Sequence, residues 1–370
     1  MRNAVFLCFL VIVFSAAGSA LSQEPLPLGL PPVPIPEDNP QTKEKIALGK
    51  RLFEDKRFSA DGTVSCANCH DPAKAFTDGL PVAEGIHKQK GTRNAPTVIN
   101  AAYFTSQFWD GRRPSLEEQA KDPFVNPVEH GLGKDQGFHQ FIIDIIQKDP
   151  DYPKAFKTVF GVDAKAITID HVVKAIASFE RTIISGDSPF DRYQYGGDKG
   201  ALSEPAKRGL ELYLGKARCQ ECHMISEKYA LFMDNKFHNL GVGFKKIQPR
   251  LRELVREVKM SRQQGRSLDE SILTKGDISE LGRFVITDKT SEIGAFKTPT
   301  LRNIAVTGPY MHDGSMATLK EVMDLYNKGG EKNPFLGSVR VLDLTDEEIT
   351  DIIAFLESLT SPEYAEPVKK

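Results

Sequence analysis

Tryptophan occurs once in these 370 residues, and cysteine only five times. So few cysteines cannot hold a chain of this length as a disulfide scaffold, and the fold has to rest on buried apolar cores. Neither sign of charge dominates. Forty-eight Lys and Arg against fifty Asp and Glu leave a net charge of -2, which excludes the basic face that a nucleic-acid partner requires. Long apolar runs are missing after the N-terminus, so the body of the chain has no candidate membrane span. Strand signals are also sparse. The length allows two domains of ordinary size.

The N-terminus carries the one marked apolar stretch. Arg2, the run Ala4 to Phe14 and the small residues of "AGSA" predict a signal peptide over 1–20, cleaved after Ala20, and therefore export; an uncleaved anchor is the alternative. Cys8 would leave with it. Residues 21–40, with "LPLGLPPVPIPEDNP", read as an extended proline-rich leader.

The four remaining cysteines stand in two copies of one pattern, "CANCH" at 66–70 and "CQECH" at 219–223. Each copy follows a predicted helix. The first has Asn39 as its expected N-cap and Pro40 at its first position; the second has Ser203 as cap. Each half also closes on an amphipathic helix: "ITIDHVVKAIASFERTI" and "TDEEITDIIAFLESLT", the latter with a Thr345–Glu348 capping box. The recurring order predicts a duplicated, mainly α fold, with domains at 41–190 and 200–361. The charged segment 245–282 reads as a solvated hairpin.

In C-x-x-C-H the two thiols can bond to the vinyl groups of a haem, and the adjacent histidine can ligate its iron. Cys66, Cys69 and His70 form one such unit, and Cys219, Cys222 and His223 the other. A zinc site would draw its cysteine pairs together in a small domain, and a redox-active C-x-x-C would need a βαβ context. Neither condition is met. Two cytochrome c-like domains are therefore expected, each with one covalently attached haem c.

Together with "RNAPTVINAAYF", "FWDGR", "EEQAKDPFVNPVEHG" and "FKTPTLRNIAVTGPYMHDGS", these units resemble the bacterial dihaem cytochrome c peroxidase family, including its MauG-type members, over about 38–360. The resemblance implies a peroxidatic first haem with Glu129 as distal acid–base and Gln119 beside it. On the residues alone, Glu129 would read as a solvated loop carboxylate, and His130 competes with it as the base. The resemblance also implies that Trp109 lies between the haems and relays electrons. His87 is a candidate resting ligand of the first iron, with an exposed loop histidine as the other reading. Tyr326 falls where MauG-type members carry a ligand of the second iron; Met323, one helical turn earlier, is the alternative. One calcium ion is implied, on Asn94 and the backbone carbonyls of Thr307 and Pro309. Arg93, Arg112 and Arg302 are candidate partners of haem propionates, or ordinary surface ion pairs.

The function implied is a periplasmic peroxidase. It would reduce hydrogen peroxide to water through high-valent iron at the first haem, with electrons from a small cytochrome c or copper protein. The alternative is a MauG-like enzyme that turns the same two-haem oxidised state on residues of a partner protein. A non-enzymatic dihaem carrier is the third reading, and Gln119 with Glu129 argue against it.

Overall fold

A computed structural model describes residues 26–133 and 137–365; the expected signal peptide, with Cys8, lies outside them. The described chain is mostly helical. Its one two-residue ladder pairs Phe237–His238 antiparallel with Phe296–Lys297. No described helix is long and apolar enough to cross a membrane.

Helix starts follow local chemistry, with one exception to expectation. Helix Glu204–Leu214 begins at Ser203, and Asp346–Glu357 begins at the Thr345–Glu348 capping box. Helix Lys43–Glu54, however, is capped by Thr42 and not by Asn39. Asn39 is buried and donates to Glu117 Oε1 at 2.7 Å and to the Lys174 carbonyl at 3.0 Å. A tertiary tie has taken the side chain that the sequence pattern assigned to a cap.

The internal repeat holds at atomic detail. In each half the opening helix packs on the closing one: Lys43–Glu54 on Ile169–Glu180, and Glu204–Leu214 on Asp346–Glu357. Both crossings close on a glycine. A Cβ on Gly49 would stand 1.9 Å from the Ala175 carbonyl oxygen, and one on Gly209 would stand 1.9 Å from that of Asp351. The loops match as well. Asn100 and Asn303 both adopt left-handed backbone, and their side-chain oxygens accept from the N–H groups of Ser185 (3.0 Å) and Ser361 (2.9 Å), just past each closing helix. The Ser185 hydroxyl donates to that of Ser361 at 2.6 Å, so the two equivalent points touch. From Arg93 opposite Phe296 to Pro123 opposite Tyr326 the two sequences pair without a gap.

Two apolar cores result, one from Leu48 to Ile176 and one from Phe190 to Leu359. Phe190, expected at the end of the first domain, belongs to the second core. The halves are joined by reciprocal backbone bonds. The Asn94 N–H donates to the His312 carbonyl (2.8 Å), and the N–H of its counterpart Lys297 donates to the carbonyl of Trp109, the counterpart of His312 (2.7 Å).

Two segments differ from expectation. Segment 245–282 is no solvated hairpin. Leu254, Val258, Ile272 and Ile278 turn inward with Phe244 and Phe284 to form a third core, and the charges take the outer face. It also clasps the first half: Thr92 donates to the Ile272 carbonyl, Arg93 Nε to Ser279 Oγ, and Arg113 to Asp269. The described part of the proline-rich leader is a bound strap. Asp187 N–H donates to the Leu28 carbonyl, Tyr103 to that of Pro31, and Arg302 to that of Gly29. Arg302 is wholly buried in a two-pronged pair with Asp191, both bonds 2.8 Å, so neither a propionate nor a surface ion pair is its role.

Alanine is the better helix former, so Gly209→Ala would ordinarily stabilise an exposed helix. Here the added methyl meets backbone. Gly49→Ala and Gly209→Ala should each lower stability by about 1–3 kcal/mol. Chemical denaturation followed by circular dichroism checks this, and a gain in stability would contradict the close crossing.

Candidate active site

The short helix Cys66–Cys69 is preceded by Ser65, whose N–H donates to Asn68 Oδ1 at 3.0 Å. The turn that follows brings His70 Nδ1 to 3.3 Å from the Phe76 carbonyl. In the second motif His223 Nδ1 lies 2.8 Å from the Phe232 carbonyl. With Nδ1 tied to backbone, Nε2 is the ring nitrogen left to ligate a metal. Burial lowers both imidazoles below their ordinary range, that of His70 to about 4, so both are neutral and ready to bind a metal. Cys66, Cys69, Cys219 and Cys222 are all free thiols. Burial pushes Cys66 and Cys69 up, Cys69 to about 12.

Both motifs open onto one cavity of about 570 Å³. Protein interiors tolerate few voids larger than a water, and this volume is in the range of ligand pockets, so the space suits a prosthetic group. Free thiols, neutral imidazoles and an enclosed apolar wall fit covalently held haem.

The two ends of the cavity are lined differently. At the first, Gln119 ends the short helix Leu116–Gln119, and Pro123, Asn126 and Glu129 follow on the same wall. Glu129 is held by Asn126, whose Nδ2 donates to Oε1 at 2.6 Å. Asn126 Oδ1 in turn accepts the Val128 N–H at 2.9 Å. Burial raises the Glu129 carboxyl above its usual range, while the Arg112 guanidinium and the Asn126 bond oppose the shift. His130 does not line the cavity. Its Nδ1 lies 3.0 Å from the Phe58 carbonyl, and its ring packs edge-on against Phe124. His87 is also outside it: its side chain is 65% exposed, with Nδ1 3.4 Å from Asp61.

At the second end, Tyr326 and Met323 both line the wall from helix Leu319–Asn327. Met323 is also packed into the second core. Burial drives the Tyr326 phenol well above its ordinary value, and the two nearby thiols add to this, so only a strong local cation would ionise it. In the repeat, the first-half counterpart of Tyr326 is Pro123, whose side chain has no donor to offer a metal.

Trp109 also lines the cavity, with Nε1 donating to the Asn94 carbonyl at 3.0 Å. Asn94, Thr307 and Pro309 line the same wall. Asn94 Nδ2 donates to the Leu80 carbonyl at 2.9 Å, which leaves Oδ1 as the side-chain donor for a hard cation. Arg93 and Arg112 share the buried Asp110, at 2.6 Å and 3.2 Å, and are not surface ion pairs. Residues the sequence did not single out are Asn126, Lys297 and the pair His238–Asp234 (2.8 Å) beside Cys222. Only the adjacency of Asn126 to "PVE" hinted at its role.

The di-haem cytochrome c peroxidase family profile matches residues 43–199. Cytochrome-c peroxidase IdrP1 of Denitromonas iodatirespirans is 40% identical over 358 residues, 95% of this chain and 91% of that protein. Methylamine utilization protein MauG of Methylorubrum extorquens is 38% identical over 328 residues, 88% of this chain and 81% of that one. Among solved structures, a MauG-like protein associated with microbial copper homeostasis superposes with a TM-score of 0.74 at 33% identity, covering 93% of this chain and 99% of that one. With these likenesses spanning the whole site, the chain belongs to the di-haem cytochrome c peroxidase family of oxidoreductases.

Proposed function

We propose that this protein is a periplasmic dihaem peroxidase, exported by residues 1–20, that reduces hydrogen peroxide to water with two electrons from a small cytochrome c or copper protein. The observation that carries the reading is the unequal lining of one cavity: Glu129 lies close enough to Cys66 and Cys69 for its charge to act on them, Tyr326 lies likewise by Cys219 and Cys222, and Gln119 and Pro123 line the same space. Haem bound through Cys66 and Cys69, and through Cys219 and Cys222, supplies an iron that peroxide can coordinate and a second iron that exchanges single electrons. His70 and His223 would each ligate an iron through Nε2, the nitrogen not tied to backbone. Pro123 would offer the first iron no side-chain ligand.

Glu129 then moves the protons. Its carboxylate takes the proton from the inner peroxide oxygen and returns it to the outer oxygen, which departs as water. Two electrons and two further protons complete the second water. Gln119 orients the peroxide by hydrogen bonding, and Asn126 fixes the rotamer of Glu129. Tyr326 would offer the second iron a hard oxygen donor and so close that site to small molecules. Trp109 divides the electron's path between the halves into two shorter steps. Asn94, Thr307 and Pro309 offer oxygens for one calcium ion at the seam, where it would hold the two cytochrome c-like domains, 41–190 and 200–361, in register.

Tyr326 also favours a second reading. An anionic oxygen donor stabilises oxidised metal, where a thioether would favour the reduced form. The oxidised pair could then persist long enough to act on residues of a partner protein, as in a MauG-like enzyme. Mixing the ferric protein with one equivalent of peroxide, then with reduced cytochrome c, separates the readings. Oxidation of two donor equivalents per peroxide supports the peroxidase. A persistent oxidised state that only a protein substrate consumes supports the alternative. Absence of any reaction would sink both.

Glu129→Gln should lower peroxide turnover by about 10²–10⁴-fold, the worth of a positioned acid–base group, with the haem spectrum nearly unchanged. Wild-type turnover in that variant, with loss in His130→Gln, would move the role to His130. The ferric protein should show no methionine-to-iron charge-transfer band in the near infrared, and Met323→Leu should leave the spectrum as it is. Such a band, abolished by Met323→Leu, would replace Tyr326 by Met323. Trp109→Phe should slow electron transfer between the haems in stopped-flow traces, and an unchanged rate would take the indole off the path.

A further inference from the structure

Glu180 is the last residue of the first closing helix, Ile169–Glu180. Its side chain is buried, lines the cavity, and leaves Oε2 without a hydrogen-bond partner. The proposed mechanism gives it no task. Its counterpart in the second half is Leu356, which also lines the cavity. One wall position is therefore acid at the first motif and apolar at the second. An unpartnered buried carboxyl is costly whether charged or neutral, and a leucine fills the same place in the sister half without that cost.

The charges around Glu180 are committed elsewhere. Arg181, its neighbour, gives both terminal nitrogens to Glu117 of the short helix Leu116–Gln119, at 2.7 and 2.9 Å. Lys45 of the opening helix donates to Asn39 Oδ1 and to the Pro40 carbonyl. Helix Gly137–Lys148 turns only Ile142, Ile143 and Ile146 inward. Cys66 is near enough for the Glu180 charge to add to the burial that raises its thiol, and it becomes a neutral thioether once haem is attached. Among the described residues, Arg181 is the cation that acts on Glu180, and its hydrogen bonds go to Glu117. The variable charges at this end of the cavity are that of the Glu129 carboxyl and the one a haem iron would bring.

We propose that Glu180 takes up a proton when the first haem gains an electron and releases it when the haem loses one. The inference rests on the reading above that Cys66, Cys69 and His70 hold a haem. The balance is simple: one electron from the donor protein reaches the haem, one proton from solvent adds to the Glu180 carboxylate, and oxidation reverses both. Ferric haem carries one more positive charge than ferrous haem, so it favours the carboxylate and lowers the carboxyl's pKa. Burial, reinforced by Glu117 and opposed by Arg181, already holds that carboxyl up to about 8, within reach of ordinary pH. Below the ferric-state pKa and above the ferrous-state pKa the potential is independent of pH. Between them it falls as pH rises. Glu180 is thus a positioning residue for electrons: it cancels the charge that each would otherwise leave in a dry site.

The test is spectroelectrochemical titration of the holoprotein across the neutral and alkaline range, with the first haem identified by its response to cyanide. The wild type should lose about 59 mV of potential per tenfold fall in proton activity, one proton per electron. Glu180→Gln and Glu180→Leu should be flat across that window, and Glu180→Asp should restore a slope. Redox-difference infrared spectra should show a protonated-carboxyl band appearing on reduction in the wild type and absent from Glu180→Gln. A flat wild type, or a wild-type slope in both Glu180→Gln and Glu180→Leu, would overturn the inference and leave the peroxidase reading standing. A colourless protein would overturn both.

Discussion

The reciprocal bonds at the seam are the constraint on which the rest depends. Asn94 N–H to the His312 carbonyl and Lys297 N–H to the Trp109 carbonyl exchange a loop of each half with the matching loop of the other. Because the exchange is symmetric, each half builds part of the wall around the other half's motif, and one cavity serves both. Glycine enforces the closeness. Gly111 and Gly314 occupy matching places in left-handed backbone, where a Cβ would stand 2.3 Å from Phe237 and 2.1 Å from the Pro81 carbonyl. A looser seam would leave two separate haem proteins. This one places the only tryptophan on the loop that crosses.

Symmetry of backbone makes the departures in side chain informative. Gly49 and Gly209, Asn100 and Asn303, and His70 and His223 keep their residue type because each does the same mechanical task twice. Pro123 against Tyr326, Trp109 against His312 and Glu180 against Leu356 do not. The first set sets up two equivalent sites. The second makes them unequal, and its members all line the shared space. Even His312 lines the cavity, though its ring is held by Glu280 at 2.7 Å and stacked on Phe296.

The repeat was legible in the sequence because its signals are local. A cap, an apolar stripe and a five-residue motif each need only a short window, and Ser203, Thr345 and the closing helices stand where those signals put them. What was not legible depends on contacts distant in sequence. Asn39 left its cap for Glu117, and Arg302 went to Asp191; nothing near either residue announces it. The charged segment 245–282 hid a core because Leu254, Val258, Ile272 and Ile278 are spaced thinly among charges, and a thin stripe is enough when a second layer already exists beneath it. At the site, the cysteines and histidines stood out as motifs, and Glu129 came from the resemblance; its burial on the cavity wall replaces the solvated loop carboxylate that the residues alone suggested. Asn126 and Glu180 did not stand out, since a carboxamide in a loop and a glutamate in an amphipathic helix both look ordinary until burial is known.

Burial pushes several cavity groups toward neutrality, although His238, held by Cys222 and Asp234, goes the other way, up to about 9. Burial lifts Glu129, Glu180 and Tyr326 and lowers His70, His223 and Lys297, the last to about 7 despite the pull of Asp110. Every one of these shifts favours the neutral form. Of the permanent charges close by, Arg93 and Arg112 share Asp110, and Arg112 also reaches Asp122 at 3.3 Å. Between apolar walls, charge introduced into the cavity is felt strongly by the groups around it. A carboxyl that stays protonated in an apolar slot would ionise beside a cation, and a buried phenol would lose its proton more readily there. These groups thus stand close to neutrality, and a metal bound among them would decide which carries charge.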